Sequence, residues 1–496
     1  MSFAELFPIQ FISADQWLAL IPLLVICASA VLALLAAPWG SYGRVGSFTA
    51  LAAGSVIALL ALSFSLSNPP VSILDGVLVV DRLSQIFSVI TIAAGLAAAL
   101  MTLGFDKREH IHTEVYSLIA FAVAGMIVLV STRDLVVLFI GLELMSLAVY
   151  VLVGMRRQSA AAAEAGLKYF LLGGAASAIL LYGATLLYGS TGSLKFDVIG
   201  PALSRLWQDQ IPMVPVLGLV MVGIGFLFKI GAVPFHVWIP DVYTGASTPV
   251  TGFMISAVKA AAIGVLLRFT SEVFAIPGLL EVGGGFYWIL WVITAMTLLY
   301  GSLVGLRQSS LKRMLAYSTI AHTGYVLLGF LALVISQKPE ASDAIVSYTL
   351  FYVVMNLGGF AVLTLISPAD SDEPMLEDLA GLGRRRPYLA FALSLFLFSM
   401  AGIPPTAGFF GKYYLFMSAL SAGEVALTLL AVLSSIISAV FYLRPMVYMY
   451  MKAPEQSDAS FGIPARWLGS SAVVGFAAVM TLVMGILPSW FSSLMK

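Results

Sequence analysis

Long apolar runs separated by short polar stretches dominate this chain. A run of about 20 apolar residues is the length that crosses a bilayer as a helix. Such runs recur fourteen times, at about residues 17–36, 45–67, 83–104, 115–131, 134–154, 164–188, 211–239, 248–270, 286–306, 311–335, 343–367, 388–418, 424–450 and 466–491. The pattern predicts an all-α polytopic membrane protein with about 14 transmembrane helices in a single membrane domain over residues 1–496.

Two of the predicted spans are unusually long and carry internal Gly and Pro. The seventh reads FKIGAVPFH around its interruption, with Lys229 just before it, and the twelfth reads SMAGIPPTAGFFGKYYLF, with Lys412 seven residues after Pro405. Interrupted spans in corresponding positions indicate a transport site between repeats. Because the two lie five spans apart, we expect two inverted five-helix repeats, each containing a broken helix.

These expectations divide the membrane domain into four parts. We expect N-terminal helices 1–3 in residues 1–110, and the first inverted repeat, helices 4–8, in residues 111–270. The second repeat, helices 9–13, is expected in residues 285–452, and helix 14 in residues 453–496.

Composition supports a membrane location and narrows the chemistry. The chain is 60% hydrophobic and 10% charged, its formal net charge is zero, and its mean hydropathy is +1.00. Soluble proteins carry about 25% charged residues. The absence of a basic excess argues against nucleic acid as a partner and leaves the lipid bilayer as the expected surroundings. The single cysteine, Cys27, excludes an internal disulfide and a Cys-ligated iron–sulfur cluster.

The positions of Lys and Arg predict the orientation. Thirteen lie in the odd-numbered connections, against seven in the even-numbered connections and the C-terminus. The positive-inside rule therefore places the odd connections in the cytoplasm and both termini on the periplasmic side. The N-terminus lacks the basic start of a cleavable signal peptide, so we expect a multi-pass protein of the bacterial plasma (inner) membrane.

Five of the 25 Lys and Arg fall within spans: Lys168, Lys229, Lys259, Lys412 and Arg444, the last near enough to a helix end to reach the surface. Among the carboxylates, only Glu143 falls well inside a span. A charge at the bilayer centre costs at least about 2.5 kcal/mol, and such residues mark proton or ion pathways. We therefore interpret four lysines and one glutamate as a candidate proton pathway.

Glu143 requires a partner, since a buried carboxylate is paired or protonated. We favour Lys168 as that partner, in a pair that opens and closes as protons pass. The alternatives are a permanent structural salt bridge and an i, i+4 contact between Lys168 and Glu164.

Lys229 and Lys259 have no carboxylate on their own spans, and loss of hydration makes a lysine easier to deprotonate. We interpret both as proton-exchanging groups; the alternative is permanent charge capped by helix carbonyls. His236, after the first interruption, and His322, among Tyr and Thr residues, suit a proton shuttle, although each would also fit a hydrogen-bonded core. His110 and His112 are expected to be solvated.

Lys412 follows the second interruption, and we interpret it as the terminal site of the relay. No spacing typical of metal or haem ligation and no nucleotide-binding loop is present. The expectation for this chain is therefore no metal and no bound cofactor, with proton or cation movement as its chemistry.

Five motifs in order carry a family resemblance: GLELMSLAVYVLVG, LKYFLLGGAASAILLYG, GFLFKIGAVPFHVWIPDVYTGASTPVTGF, SSLKRMLAYSTIAHTGYVLLG and AGIPPTAGFFGKYYLF. Together they resemble the antiporter-like subunits of respiratory complex I, the NADH-quinone oxidoreductase, over about residues 85–450. The chain departs from the family pattern at Ala246-Ser247, where Ala-Pro is usual.

The resemblance implies a role for each candidate residue. Glu143 matches the family's glutamate of the fifth span, with Lys168 as its ion-pair partner in the sixth, and Lys229 matches the lysine of the broken seventh span. Lys259 and His322 match positions on the central hydrophilic axis, and Lys412 the lysine of the broken twelfth span. NADH, FMN, iron–sulfur clusters and quinone would be used by other subunits, and other membrane-arm subunits would be the partners.

Two other functions remain open from the sequence. A Mrp-type cation/proton antiporter subunit would carry the same kind of intramembrane charges, and Lys412 does not exclude it. A non-pumping structural subunit of the membrane arm would retain a hydrated axis without moving protons.

Overall fold

The computed structural model describes residues 13–65, 69–103, 105, 112–209, 213–274, 284–367, 372–453 and 468–488. The predicted loop residues Lys107, Arg108 and His110 lie outside these ranges, and so does the N-terminal segment considered as a signal peptide. His112 is exposed, as expected.

Helices make up nearly all of the first half. They are α1 (Ala14–Ala36), α2 (Gly40–Ser65), α3 (Arg82–Thr102), α4 (Val115–Ser131), α5 (Leu135–Gly154), α6 (Ala160–Thr191), α7 (Phe196–Asp209), α8 (Met213–Ile230), α9 (Ile239–Gly245), α10 (Thr248–Phe253) and α11 (Lys259–Glu272). A short antiparallel hairpin, β1 (Val71–Ile73) and β2 (Leu78–Val80), precedes α3.

The second half continues in the same way, with α12 (Gly285–Gly305), α13 (Leu311–Ser336), α14 (Pro339–Ile366), the four-residue α15 (Leu382–Arg385), α16 (Pro387–Ala401), α17 (Ala407–Ser421), α18 (Val425–Met451) and α19 (Leu468–Ile486). Eleven helical segments in the described ranges are long and apolar enough to cross a membrane, with α1 and α2 treated as one run. Two apolar helices, α4 and α16, are shorter. The polytopic helical class is thus confirmed, and the figure of fourteen spans stays a prediction.

Side chains at the helix starts explain several of these bounds. Ser13 and Gln16 form a reciprocal capping box at α1, and Asp81 does the same with Ser84 at α3. Asp134 accepts hydrogen bonds from two backbone N–H groups at the start of α5. These caps stand where apolar runs begin, so the sequence marks the helix starts closely.

Enclosure differs strongly between helices. In the most apolar window of each, 100% of residues are buried in the segment Thr248–Glu272, 94% in α14 and 89% in α13, against 28% in the α1–α2 run. The segment Thr248–Glu272 contains a π-helical turn, Met254–Val258, immediately before Lys259. These three enclosed segments form the axis of the molecule, and they carry Lys259 and His322.

Two features of the structure were not predicted. α7 is an amphipathic helix in the connection between the sixth and seventh predicted spans. Lys312 and Arg268, assigned to loops by the sequence, are 0% and 3% exposed. Arg268 donates to both carboxylate oxygens of Asp81 at 2.7 Å. Burial raises the pKa of Asp81, but this guanidinium holds it below its usual value of 3.8.

Candidate functional site

The first helix break ends α8 at Ile230. Gly231 adopts a φ of +77°, a left-handed conformation that favours glycine. Trp238 Nε1 donates to the carbonyl of Phe228 at 3.1 Å, and the hydroxyl of Thr323 donates to that of Ile230 at 2.8 Å. The backbone groups freed by the break are therefore satisfied by side chains, as hydrocarbon surroundings require.

Lys229 lies at this break and is 5% exposed. Its Nζ donates to the hydroxyl of Ser146 at 2.7 Å and to that of Tyr169 at 3.4 Å. The ammonium also lies 5.4 Å from the ring centroid of Tyr169 and 5.9 Å from that of Tyr150. A cavity of about 10 Å³ borders it, at the lower limit for one water molecule. Neutral hydroxyl acceptors and aromatic rings thus hold this cation, and no ion pair lies within contact distance among the described residues.

Glu143 lies one helical turn before Ser146 on α5. Its Oε1 is buried and has no hydrogen-bond partner among the described residues, and the lysine on which its charge acts is Lys229. The expected contact with Lys168 is absent from the ion pairs of the described residues. In this structure Lys168 contacts other carboxylates, and a Glu143–Lys168 pair that opens and closes stays a prediction.

Lys168 instead lies near the helix start, 42% exposed at its side chain. Its Nζ is 2.5 Å from Glu164 Oε1, one turn earlier, and 3.0 Å from Asp241 Oδ2 on α9. Asp241 also pairs with Arg313 at 3.1 Å. The i, i+4 alternative accounts for part of this arrangement. Asp241 was not singled out in the sequence, because its pairing depends on how α9 folds back after the break.

Lys259 follows the π-helical turn and is 3% exposed. Its Nζ donates to the backbone carbonyl of Thr319 at 2.6 Å and lies 5.2 Å from the ring centroid of Tyr352. The same carbonyl accepts a hydrogen bond from Thr323, whose hydroxyl reaches the first break at Ile230. α13 therefore connects the surroundings of Lys259 to the end of the helix that carries Lys229.

His322 lies on α13 between two lysines. Its Nδ1 hydrogen-bonds the hydroxyl of Tyr348, and its Nε2 lies 3.1 Å from the hydroxyl of Tyr442. The charges of Lys259 and Lys412 both act on it. Both ring nitrogens are thus occupied by neutral hydroxyls, which either donate or accept a proton.

The second break separates α16 from α17. Gly402 adopts a φ of +87°, and a Cβ there would lie 3.1 Å from the Lys412 side chain. Lys412 is 4% exposed. Its Nζ donates to the hydroxyl of Ser435 at 2.8 Å and to the carbonyl of Ala401 at 3.1 Å. It therefore caps the last residue of α16, where the helix dipole favours a cation.

His236 lies in the first break and is 6% exposed. Its ring packs edge-on against Tyr300, with centroids 4.5 Å apart. Its Nδ1 is buried without a hydrogen-bond partner among the described residues. Among the described residues, no hydrogen bond joins His236 to Lys229, whose partners are Ser146 and Tyr169.

Six of the seven candidates thus fall into two groups. Lys259, His322 and Lys412 lie against or on α13, and Lys229 lies at the end of a helix that α13 contacts through Thr323, with Glu143 acting on Lys229. Lys168 lies apart, near the start of α6, with Asp241. Among the described residues, no group of three or more His, Cys, Asp or Glu is placed to hold a metal ion.

Sequence reasoning missed a second buried charge cluster, centred on Asp372. The Asp372 side chain is 0% exposed and lies 3.3 Å from Lys312 Nζ and 3.5 Å from Arg156. It also accepts from the backbone N–H of Thr248 at 2.8 Å. The signal in the sequence is the polar connection before α16, which holds several carboxylates followed by three arginines.

This polytopic helical protein buries Lys229, Lys259, Lys412 and His322, and two of these lysines lie at helix breaks. Such a protein is of the class that moves ions through membranes. The family model that matches residues 132–438, more than half of the chain, is described as "NADH:quinone oxidoreductase/Mrp antiporter, TM". The chain belongs to this family. All seven candidate residues fall inside the matched segment.

The comparisons with individual proteins agree. The chain is 40% identical over 424 residues to NADH-quinone oxidoreductase subunit N of Trichlorobacter lovleyi, covering 84% of each. A chain of respiratory complex I from Thermus thermophilus with bound aureothin matches at 34% identity and a TM-score of 0.79, covering 95% of this chain and 98% of that one. A chain of the Mrp complex from Dietzia sp. DQ12-45-1b matches at 21% identity and a TM-score of 0.82, covering 97% and 96%.

The similarity to subunit N confirms the resemblance of the five motifs. Three sequence features favour subunit N (subunit 2) within the family: the fourteen predicted spans, the segment VYTGASTPV, and a lysine rather than a glutamate at Lys412. The Mrp likeness, at 21% identity, shows the shared fold alone.

Proposed function

We propose that this chain is a proton-translocating membrane-arm subunit of an NADH-quinone oxidoreductase of the subunit N type. Quinone reduction elsewhere in the complex drives proton transfer along its buried axis. The observation that carries the proposal is the burial of Lys229, Lys259, His322 and Lys412 around α13. The carbonyl of Thr319 and the hydroxyl of Thr323 connect Lys259 to the end of the helix that carries Lys229.

In the proposed cycle, the charge of Glu143 stabilises protonated Lys229. The arrangement with Lys168 on Asp241 leaves Glu143 free to do so. When Lys168 moves to Glu143, that stabilisation is lost, and Lys229 gives up its proton towards Lys259. The Glu143–Lys168 pair thus opens and closes during the proposed cycle, and Asp241 is the partner of Lys168 when the pair is open.

The proton then passes His322, whose two tyrosine partners offer a path on each side of the ring, and reaches Lys412. Each step moves one proton from a nitrogen to the next acceptor through hydroxyls or water. His236 retains a lesser role in the proposal, as a shuttle beside the first break.

The proposed architecture has about 14 transmembrane helices, with two inverted repeats over residues 111–270 and 285–452. Support comes from the two breaks, each with a glycine of positive φ, at Gly231 and Gly402. Helices 1–3 and 14 flank the repeats, and both termini lie on the periplasmic side of the bacterial plasma membrane.

The proposed partners are the neighbouring antiporter-like and small subunits of the membrane arm. NADH, FMN, iron–sulfur clusters and quinone belong, in this proposal, to other subunits.

The test is Lys229→Met in the assembled complex, reconstituted into proteoliposomes. Removing the charge should abolish the contribution of this chain to pumping and lower coupled quinone reduction. Lys338→Met, which removes an exposed lysine, is the matched control and should leave both unchanged. Full pumping by Lys229→Met with normal assembly refutes the proposal.

The two rivals have separate tests. Co-purification with NADH-oxidising and iron–sulfur subunits supports the complex I assignment, whereas purification with cation-antiporter chains alone supports the Mrp type. Normal pumping by Glu143→Gln favours a structural subunit.

A further inference from the structure

Glu424 is a buried carboxylate that the relay described above does not use. It precedes α18 and is 5% exposed. The hydroxyl of Tyr287, at the start of α12, donates to its Oε1 at 2.8 Å. Among the described residues, no Lys, Arg or His lies within ion-pair distance of it. Buried charges are ordinarily paired with an opposite charge, so a carboxylate held by one neutral phenol requires an explanation.

Capping of its own helix does not provide that explanation. Glu424 occupies the N-cap position of α18, but its side chain accepts no hydrogen bond from a backbone N–H of the helix. A glutamate serving as a cap would point towards those N–H groups. This one points to a tyrosine of a neighbouring helix.

The register of α12 and α18 connects Glu424 to the proposed relay. Three hydrogen bonds join the two helices in the same order along both. From the start of each helix to its end, the pairs are Tyr287 with Glu424, the carbonyl of Leu298 with Ser434, and the carbonyl of Leu306 with Arg444. The two helices therefore run side by side in the same direction. Ser435, next to Ser434, holds Lys412.

Buried hydroxyls lie between the two levels. Glu424 and Ser435 are 11 residues apart, or about 16 Å along the helix. Thr428 is 3% exposed, and Thr294, seven residues after Tyr287 on the same face of α12, is 0% exposed. These hydroxyls make the interface between α12 and α18 more polar than a lipid-facing surface.

A solvent-accessible cavity lies at the same end of the molecule as Glu424. This cavity of about 420 Å³ is lined by Ser418 and Ser421 at the end of α17, together with Lys338 and Glu340. Ser421 is three residues from Glu424 and exposed. By the positive-inside count, this end of the molecule faces the periplasm.

We propose that Glu424 is the exit site of this chain, the carboxylate that takes the proton from Lys412 and releases it to the outer solution, with Tyr287 as its positioning residue. This inference rests on the proposed function. The ammonium of Lys412 loses one proton, which passes along hydroxyls and intervening water to the Glu424 carboxylate. Glu424 then loses the same proton to water and is again a carboxylate.

The test uses the assembled complex in proteoliposomes and compares Glu424→Gln with Lys412→Met. Glu424→Gln should lower the pumping rate to the level of Lys412→Met, and Tyr287→Phe should lower it in part. Glu424→Asp should restore part of the rate, because it keeps the carboxylate. Glu377→Gln, which changes an exposed glutamate outside this cavity, is the matched control and should pump normally.

The amount of this chain that co-purifies with the complex separates exit from folding. Normal assembly with low pumping in Glu424→Gln, together with rescue by Glu424→Asp, supports the exit role. Normal pumping by Glu424→Gln while Lys229→Met pumps poorly overturns the exit site and leaves the proposed function intact. Normal pumping by both variants overturns the proposed function itself. Reduced assembly of Glu424→Gln with normal pumping per assembled complex also overturns the exit role, since Glu424 would then be structural.

Discussion

Substitution of Asp372 by asparagine should destabilise the chain strongly, although this residue lies in a connection between helices. Its carboxylate is enclosed with two cations, Lys312 and Arg156. The amide keeps the shape of the side chain and loses the charge. The Lys312 ammonium, 0% exposed, would retain the carbonyl of Ala246 at 2.6 Å but no counter-charge at the position of Asp372.

The magnitude follows from the geometry. At an effective dielectric constant of 20, opposite charges 3.3 Å apart attract by about 5 kcal/mol. Removal of one partner from a buried pair costs about 3–5 kcal/mol, because the remaining charge stays buried. We therefore expect Asp372→Asn to lower the free energy of unfolding by about 3–5 kcal/mol.

Denaturant titration of the purified chain in detergent measures this loss from the midpoint and slope. Asp197→Asn, which changes an exposed carboxylate, is the control and should change stability by no more than about 0.5 kcal/mol. The double variant Asp372→Asn/Lys312→Met should be more stable than Asp372→Asn alone, since it also removes the buried Lys312 ammonium that has lost its counter-charge. A loss below about 1 kcal/mol for Asp372→Asn, or additive effects in the double variant, would refute this account.

Two further predictions test the local geometry. In a double-mutant cycle of coupled pumping, Lys168→Met and Asp241→Asn should be strongly non-additive because the two side chains are in contact; stronger coupling of Lys168→Met to Glu143→Gln than to Asp241→Asn would contradict the arrangement. Gly231→Ala should destabilise the chain by more than about 1–2 kcal/mol, since φ is +77° and a Cβ there would clash with the side chain of Ile239 on α9. The matched variant Gly223→Ala has no atom within 4 Å of its new Cβ and should be neutral or stabilising by up to about 1 kcal/mol; equal thermal unfolding midpoints for the two variants would refute the strain at Gly231.

The positions of the helices were largely predictable because lipid and backbone chemistry leave few choices. An apolar run of bilayer length has to satisfy every N–H and C=O internally, so it forms a helix. Gly and Pro then fix the breaks. The predicted interruptions after Lys229 and before Lys412 coincide with the ends of α8 and α16.

Partner choice was much less predictable. Glu143 and Lys168 lie on adjacent spans, and both need a counter-charge, so pairing them is reasonable from the sequence. The structure gives Lys168 two other carboxylates, because the helix break turns α9 back and brings Asp241 to Lys168, near the start of α6. A short segment after a break has a direction that local sequence does not specify.

The burial of charged residues at and between the helix ends could not be predicted from the sequence either. Lys312 and Asp372 lie in or beside polar stretches, and Arg268 lies near the end of a predicted span; the usual expectation for charges at such places is solvation. Only the folded chain shows that these residues are enclosed at the ends of the helices, where each charge finds an opposite one.

The sequence by itself therefore determined the class of protein, the helices, the two breaks and the residue types available for proton transfer. These properties depend on hydrophobicity and backbone chemistry, which act over one or two helical turns. The tertiary structure decided which charges meet, that α13 joins the lysines, and that Glu424 lies buried against Tyr287. Those facts depend on contacts between groups far apart in the sequence, such as Lys168 and Asp241, 73 residues apart, and Tyr287 and Glu424, 137 residues apart. The packing of whole helices sets the distances between such groups.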